Sequence, residues 1–152
     1  MDQKAELMKE IAEIAFYRFD QATKDLSEKE IDWKPVESAN SIRWILTHLS
    51  QQWNGGILGI LRGDPDYEPE DWPANYVGNE SYSLKKITSD LQNGRNAVIN
   101  GIEELSVAEL EAEITIWGST RKLQNVLALY LSEIFHHEGQ IAYLRGIMKR
   151  KK

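Results

Sequence analysis

The sequence predicts an all-α protein built as a four-helix bundle, and three observations carry that prediction. Four stretches of helical length repeat apolar residues every three or four positions. No series of alternating strands accompanies them. Serine and asparagine stand where the helices should begin, in the positions that satisfy free backbone N–H groups. The 152 residues suffice for one domain with a buried core, and residues 1–152 are read as a single domain.

The first helix is expected over residues 3–26, with Leu7, Ile11, Ile14, Ala15, Phe19, Ala22 and Leu26 as its apolar stripe. Ser27 to Glu30 spells a capping box, so a short helical piece follows and ends at Trp33-Lys34-Pro35. The second long helix starts at Asn40-Ser41 and runs to about Leu61, with Ile42, Ile45, Leu46, Leu49, Ile57, Leu58 and Leu61 on its apolar side. Gly55-Gly56 lies inside it. Glycine costs about 1 kcal/mol in a helix interior, so the pair marks a close helix contact, a kink or space for a ligand.

Residues 63–80 carry Pro65, Pro69 and Pro73 among six acidic side chains and read as a solvated loop. It is long, since most connections in compact domains take about 4–6 residues. A crossover of this length would let helices two and three run parallel. Its acids are irregularly spaced and do not fit a calcium loop. A third long helix covers about 83–104, followed by a second capping box at Ser106 to Glu109. The alternation in Glu113-Ile114-Thr115-Ile116-Trp117-Gly118 is read as too isolated to support a sheet. The last helix is expected from near Thr120 to about Met148.

Composition narrows the functions. A net charge of −6 argues against a nucleic-acid binder, which needs a concentrated basic surface. The basic run Lys149 to Lys152 suits a helix C-terminus. No apolar run approaches the roughly 18 residues of a membrane span, and the N-terminus lacks the apolar core of a signal peptide. A cytoplasmic location without membrane attachment is the expectation. Cysteine is absent, which removes disulfides, thiolate metal sites and a cysteine nucleophile.

The last helix contains Glu133 and His137, four residues apart and therefore stacked on one helix face. Alone, such a pair reads as a surface salt bridge. His48 changes the reading, because it interrupts an apolar helix where an imidazole needs a partner. Together the three side chains form a candidate site for one divalent metal. A rival spelling, Glu133 with His136, matches the motif of di-iron bundles, but those need the motif twice and it occurs once. Around the candidate site, Trp44 precedes His48 by one turn, Gln51 and Gln52 follow it by one, and Tyr130 precedes Glu133. Trp44, Gln52 and Tyr130 are candidates to line a ligand pocket, and Gln140 to orient a ligand as a hydrogen-bond partner. Trp44 and Tyr130 read equally well as core aromatics.

The helix start Asn40-Ser41-Ile42 leading to Thr47-His48-Leu49, and the segment Glu133-x-x-x-His137-Glu138-Gly139-Gln140-Ile141 with Arg145 beyond it, resemble the DinB/YfiT-like superfamily. The resemblance extends over nearly the whole chain. It implies an up-down-down-up four-helix bundle, usually dimeric, with a metal held by three side chains. Most members carry histidine where this chain has Glu133. Thiol-dependent members, including the mycothiol-dependent maleylpyruvate isomerases, use His, Glu and His, the pattern found here.

Two imidazoles and a carboxylate leave coordination positions open, as catalytic metal sites do. Zinc is the leading metal, with nickel and iron(II) as alternatives. The expected function is a metal-dependent transferase or isomerase working on a small-molecule substrate with a low-molecular-weight thiol. The missing cysteines mean that any sulfur nucleophile comes from outside the chain. The alternatives are a metal-dependent hydrolase, with Glu138 as candidate base, and a non-catalytic, stress-related metal- or ligand-binding protein.

Overall fold

A computed structural model describes residues 2–151; Met1 and the last residue of the basic run, Lys152, lie outside the described residues. The chain is mostly helical. Helix α1 (Gln3–Thr23) is followed by the short α2 (Glu28–Ile31). A single helical path then runs through α3 (Ile42–Gln51), a π-helical turn (Gln52–Gly56) and α4 (Ile57–Leu61). After an irregular stretch come α5 (Leu84–Glu103), the short α6 (Val107–Glu111), strands β1 (Glu113–Ile116) and β2 (Ser119–Lys122), and α7 (Leu123–Arg150).

Helix α1 packs along α7 and also against α5, while α3 and the π turn lie against α5 and α3 and α4 reach α7. One apolar cluster fills the space between them. Phe16 and Phe19 from α1 meet Trp53 from the π turn edge-to-face, with ring centroids 4.8 and 5.1 Å apart. Ile45, Leu49, Ile57, Ile87, Val98, Leu127 and Ile134 are almost wholly buried around them.

The expected stripe on α1 needs correction. Leu7 and Ile14 are more than half exposed, whereas Ala5, Ala12 and Phe16 are buried. The helix turns these small alanines inward, toward the helices packed around it. Both capping boxes are present. The Ser27 N–H donates to Glu30 Oε2 at 2.8 Å, and the Ser106 N–H to Glu109 Oε2 at 2.8 Å.

A second correction concerns residues 113–122, which form a two-stranded antiparallel hairpin with Ile116 opposite Ser119. Trp117 and Gly118 make its two-residue turn, at φ of +53° and +73°. Two positive φ angles belong to the type I′ turn, whose twist matches that of the flanking strands. The hairpin also shortens the last helix at its start, to Leu123.

The irregular segment between α4 and α5 is anchored rather than merely solvated. The buried Tyr76 hydroxyl donates to Asp90 Oδ2 on α5 at 2.8 Å and sits 3.2 Å from Ser50 Oγ on α3. The Gly78 N–H donates to Thr47 Oγ1 at 2.8 Å. Buried Arg43 completes the tether: its guanidinium holds Asp32 through two bonds, at 2.6 and 2.9 Å, and donates to the Tyr82 carbonyl. These bonds fix both ends of α3 and so the place of His48.

Candidate metal centre

His48 projects from α3 toward α7, where Glu133 and His137 occupy adjacent turns. One ligand atom from each of the three lies within 4.8 Å of the other two. His137 Nε2 stands 3.3 Å from Glu133 Oε2, and the His48 and His137 rings meet edge-to-face at 4.9 Å. His137 is buried and the other two are half-buried. Small side-chain adjustments would bring all three to the roughly 2.0–2.2 Å of zinc–nitrogen and zinc–oxygen bonds. Two imidazoles and a carboxylate are a donor set that divalent transition metals accept, so the residues present fit such an ion.

Each histidine is held by neighbours. Trp44 stacks on His48 with 4.8 Å between centroids and 14° between planes. Behind Trp44 lies Gly78, at φ +73°, where a Cβ would come within 3.1 Å of Trp44 Cδ1. The loop backbone thus presses the indole against the imidazole, and only glycine satisfies both the angle and the approach. On α7, His137 Nδ1 is 2.7 Å from Gln140 Oε1. A carbonyl oxygen only accepts, so Nδ1 carries the proton and Nε2 keeps its lone pair for the centre. The Gln140 amide nitrogen, 3.3 Å from His136 Nε2, fixes the amide the same way round.

Of the residues expected at the site, His48, Glu133 and His137 converge, Trp44 and Gln140 support them, and Gln52 and Tyr130 border a neighbouring space with Glu133. Gln51 is exposed. So is His136, and His137 occupies the centre in its place, which sets aside the di-iron spelling. Glu138, the candidate base of the hydrolytic alternative, is buried and accepts a 2.6 Å bond from Arg18 Nε on α1. Sequence reasoning missed Trp117, whose ring packs 5.5 Å from that of Tyr130. It also left Gly56 open. A Cβ there would lie 2.6 Å from the Tyr130 hydroxyl oxygen, so the glycine makes room for that side chain.

Residues 12–141 match the DinB superfamily, which is most of the chain and includes all three converging side chains. The chain belongs to the DinB superfamily. No curated protein matches the sequence. Among solved structures, this DinB-superfamily chain is similar to a conserved protein from Enterococcus faecalis, with 17% identity, a TM-score of 0.72, and coverage of 95% of this chain and 96% of that one. It is also similar to a DinB-like protein, YjoA, from Bacillus subtilis, with 15% identity, a TM-score of 0.70, and coverage of 93% and 91%. At such identities the likeness is one of fold.

The electrostatics of the DinB centre suit cation binding. Burial pushes the His48 imidazole below its ordinary value of 6.5, and the nearby His137 adds to this while Glu133 opposes it. His48 is therefore neutral at pH 7, the state in which imidazole is a ligand. Burial also raises the Tyr130 hydroxyl above its usual range, keeping it a neutral donor beside the centre. No helix among the described residues is long and apolar enough to cross a membrane.

Proposed function

We propose that this DinB-superfamily protein is a divalent-metal-dependent transferase or isomerase that works with a low-molecular-weight thiol. The convergence of His48, Glu133 and His137 within 4.8 Å carries the reading. His48 and His137 would hold the ion through neutral imidazole nitrogens and Glu133 through a carboxylate oxygen. Zinc suits the donor set best, with nickel or iron(II) as alternatives. A bound divalent ion supplies Lewis acidity, which lowers the pKa of a thiol or water at an open position.

The chain's own groups do the rest. Gln140 keeps the proton of His137 on Nδ1, and Trp44 limits the motion of His48. Tyr130 offers a neutral hydroxyl to a substrate atom near Glu133. The chain contains no cysteine, so the sulfur nucleophile must be a separate small molecule. The pairing of buried Glu138 with Arg18 on α1 weighs against the hydrolytic alternative, for which Glu138 was the candidate base.

The finer picture belongs to the same proposal: an up-down-down-up course for the four long helical segments, a homodimer and a cytoplasmic site of action. Exposed Leu7, Ile14 and Tyr17, spaced along one side of α1, support the dimer. The test is turnover. Zinc-, nickel- or iron-loaded protein is assayed with several thiols and electrophiles, beside His48→Ala. Thiol-dependent turnover lost in the variant is expected. Turnover without thiol would favour hydrolysis, and metal binding with no turnover would point to a non-catalytic binding protein; either result overturns the transferase reading.

A further inference from the structure

Beside the centre, Gln52, Trp117, Leu129, Tyr130 and Glu133 line a half-open space of about 270 Å³. Small-molecule sites commonly span roughly 300–1,000 Å³, so this half-open space is of a size to take a single ring. Its walls are two aromatic rings and a leucine. Trp117 is more than half exposed and Leu129 somewhat less than half, although both are apolar, and both line the same space. The polar groups inside are few. Glu133 belongs to the centre. Tyr130 brings a neutral hydroxyl, and the Gln52 side-chain oxygen is buried without a donor among the described residues.

Trp117 occupies its position against backbone preference. It sits at φ +53°, a region that bulky side chains avoid and where asparagine is several-fold enriched. With Gly118 after it, asparagine would complete the favoured Asn-Gly pair of a type I′ turn. The hairpin gives up that stability and places an indole 5.5 Å from the Tyr130 ring.

We propose that this space binds the co-substrate of the thiol: a planar, single-ring or similarly conjugated molecule whose polar group both accepts and donates hydrogen bonds. The inference rests on the metal-dependent reading above, since Glu133 is shared by the centre and the pocket. The ring lies against Trp117. Tyr130 donates to the acceptor of the polar group, and the Gln52 oxygen takes its donor. Trp117 is thus a specificity residue that sets flatness and size, and it takes no part in bond making.

Benzamide is the probe, with cyclohexanecarboxamide as the non-planar control, and binding is followed by ligand-observed NMR on the full chain with and without zinc. Saturable benzamide binding is expected, with the cyclohexane analogue weaker. Trp117→Asn should weaken benzamide about tenfold, the loss of one aromatic stacking wall, while its melting temperature stays level or rises. Leu129→Trp, which fills the mouth, should abolish binding. A purely structural tryptophan would show the opposite pattern in Trp117→Asn, lower stability with unchanged binding. That result, or no saturable binding to the wild-type chain, overturns the proposal. Zinc content measured on the same samples separates the two readings. Trp117-dependent benzamide binding by a chain that takes up no zinc would defeat the metal reading and leave the pocket standing.

Discussion

His48 draws its behaviour from where it stands. Its imidazole is half-buried between the Trp44 ring and His137, and burial holds its pKa below 6.5. In the unfolded chain the same group takes up a proton near pH 6.5, before the folded one does. Between those two pH values the unfolded state binds more protons, so stability falls as the pH drops below 6.5 and its loss is complete once the folded-state pKa is passed. Melting temperatures of EDTA-treated protein against pH should show this decline, and His48→Gln should flatten it. A variant as acid-sensitive as the wild type would contradict the assignment. Metal binding should share the same direction, because protons and the ion compete for the imidazoles. At this scale the sequence was informative. A histidine inside an apolar helix and an acid–histidine pair four residues apart were both visible. The partners that orient them were only partly so, since Gly78 and Arg43 act through tertiary contacts that no local spacing encodes.

Glycine shows most clearly how one element is fitted to another. Gly56 ends the π turn, and a methyl group there would run into the Tyr130 ring and hydroxyl at 2.6–2.9 Å. Gly139 lies on the exposed face of α7 with nothing within 4 Å of its would-be Cβ. Helix propensity alone would favour alanine at both sites. Gly139→Ala should stabilise the protein by about 0.5–1 kcal/mol. Gly56→Ala should instead destabilise it by about 1–3 kcal/mol through overpacking. Urea denaturation of the pair checks both signs, and stabilisation by Gly56→Ala would mean that Tyr130 is not held where described. The sequence signalled the glycine pair but not its cause. It also missed the hairpin, because Trp-Gly is a rare turn pair and the strands on either side have four residues each. The stripe on α1 misled for another reason: periodicity weights large apolar residues, while Ala5 and Ala12 are the ones that face the core.

At the scale of the molecule, mostly helical architecture was legible from periodicity and caps, and membership of the DinB superfamily from the two motifs around His48 and His137. What remains exposed on α1 bears on assembly. Leu7, Ile14 and Tyr17 are each more than half exposed. If this side is the homodimer face, Ile14→Asp should shift the protein from dimer to monomer in sedimentation velocity without unfolding it. An unchanged sedimentation coefficient would place any interface elsewhere. The fold matters here through the three side chains that it brings together from two helices far apart in sequence. The most direct measurement is the metal content and coordination number of freshly purified protein, set beside His48→Ala and Glu133→Ala. A single divalent ion per chain, with two histidine nitrogens and one carboxylate in its shell and open positions left over, is predicted, and each variant should lose it. A chain that holds no metal even after reconstitution, or variants that retain it in full, would contradict the account.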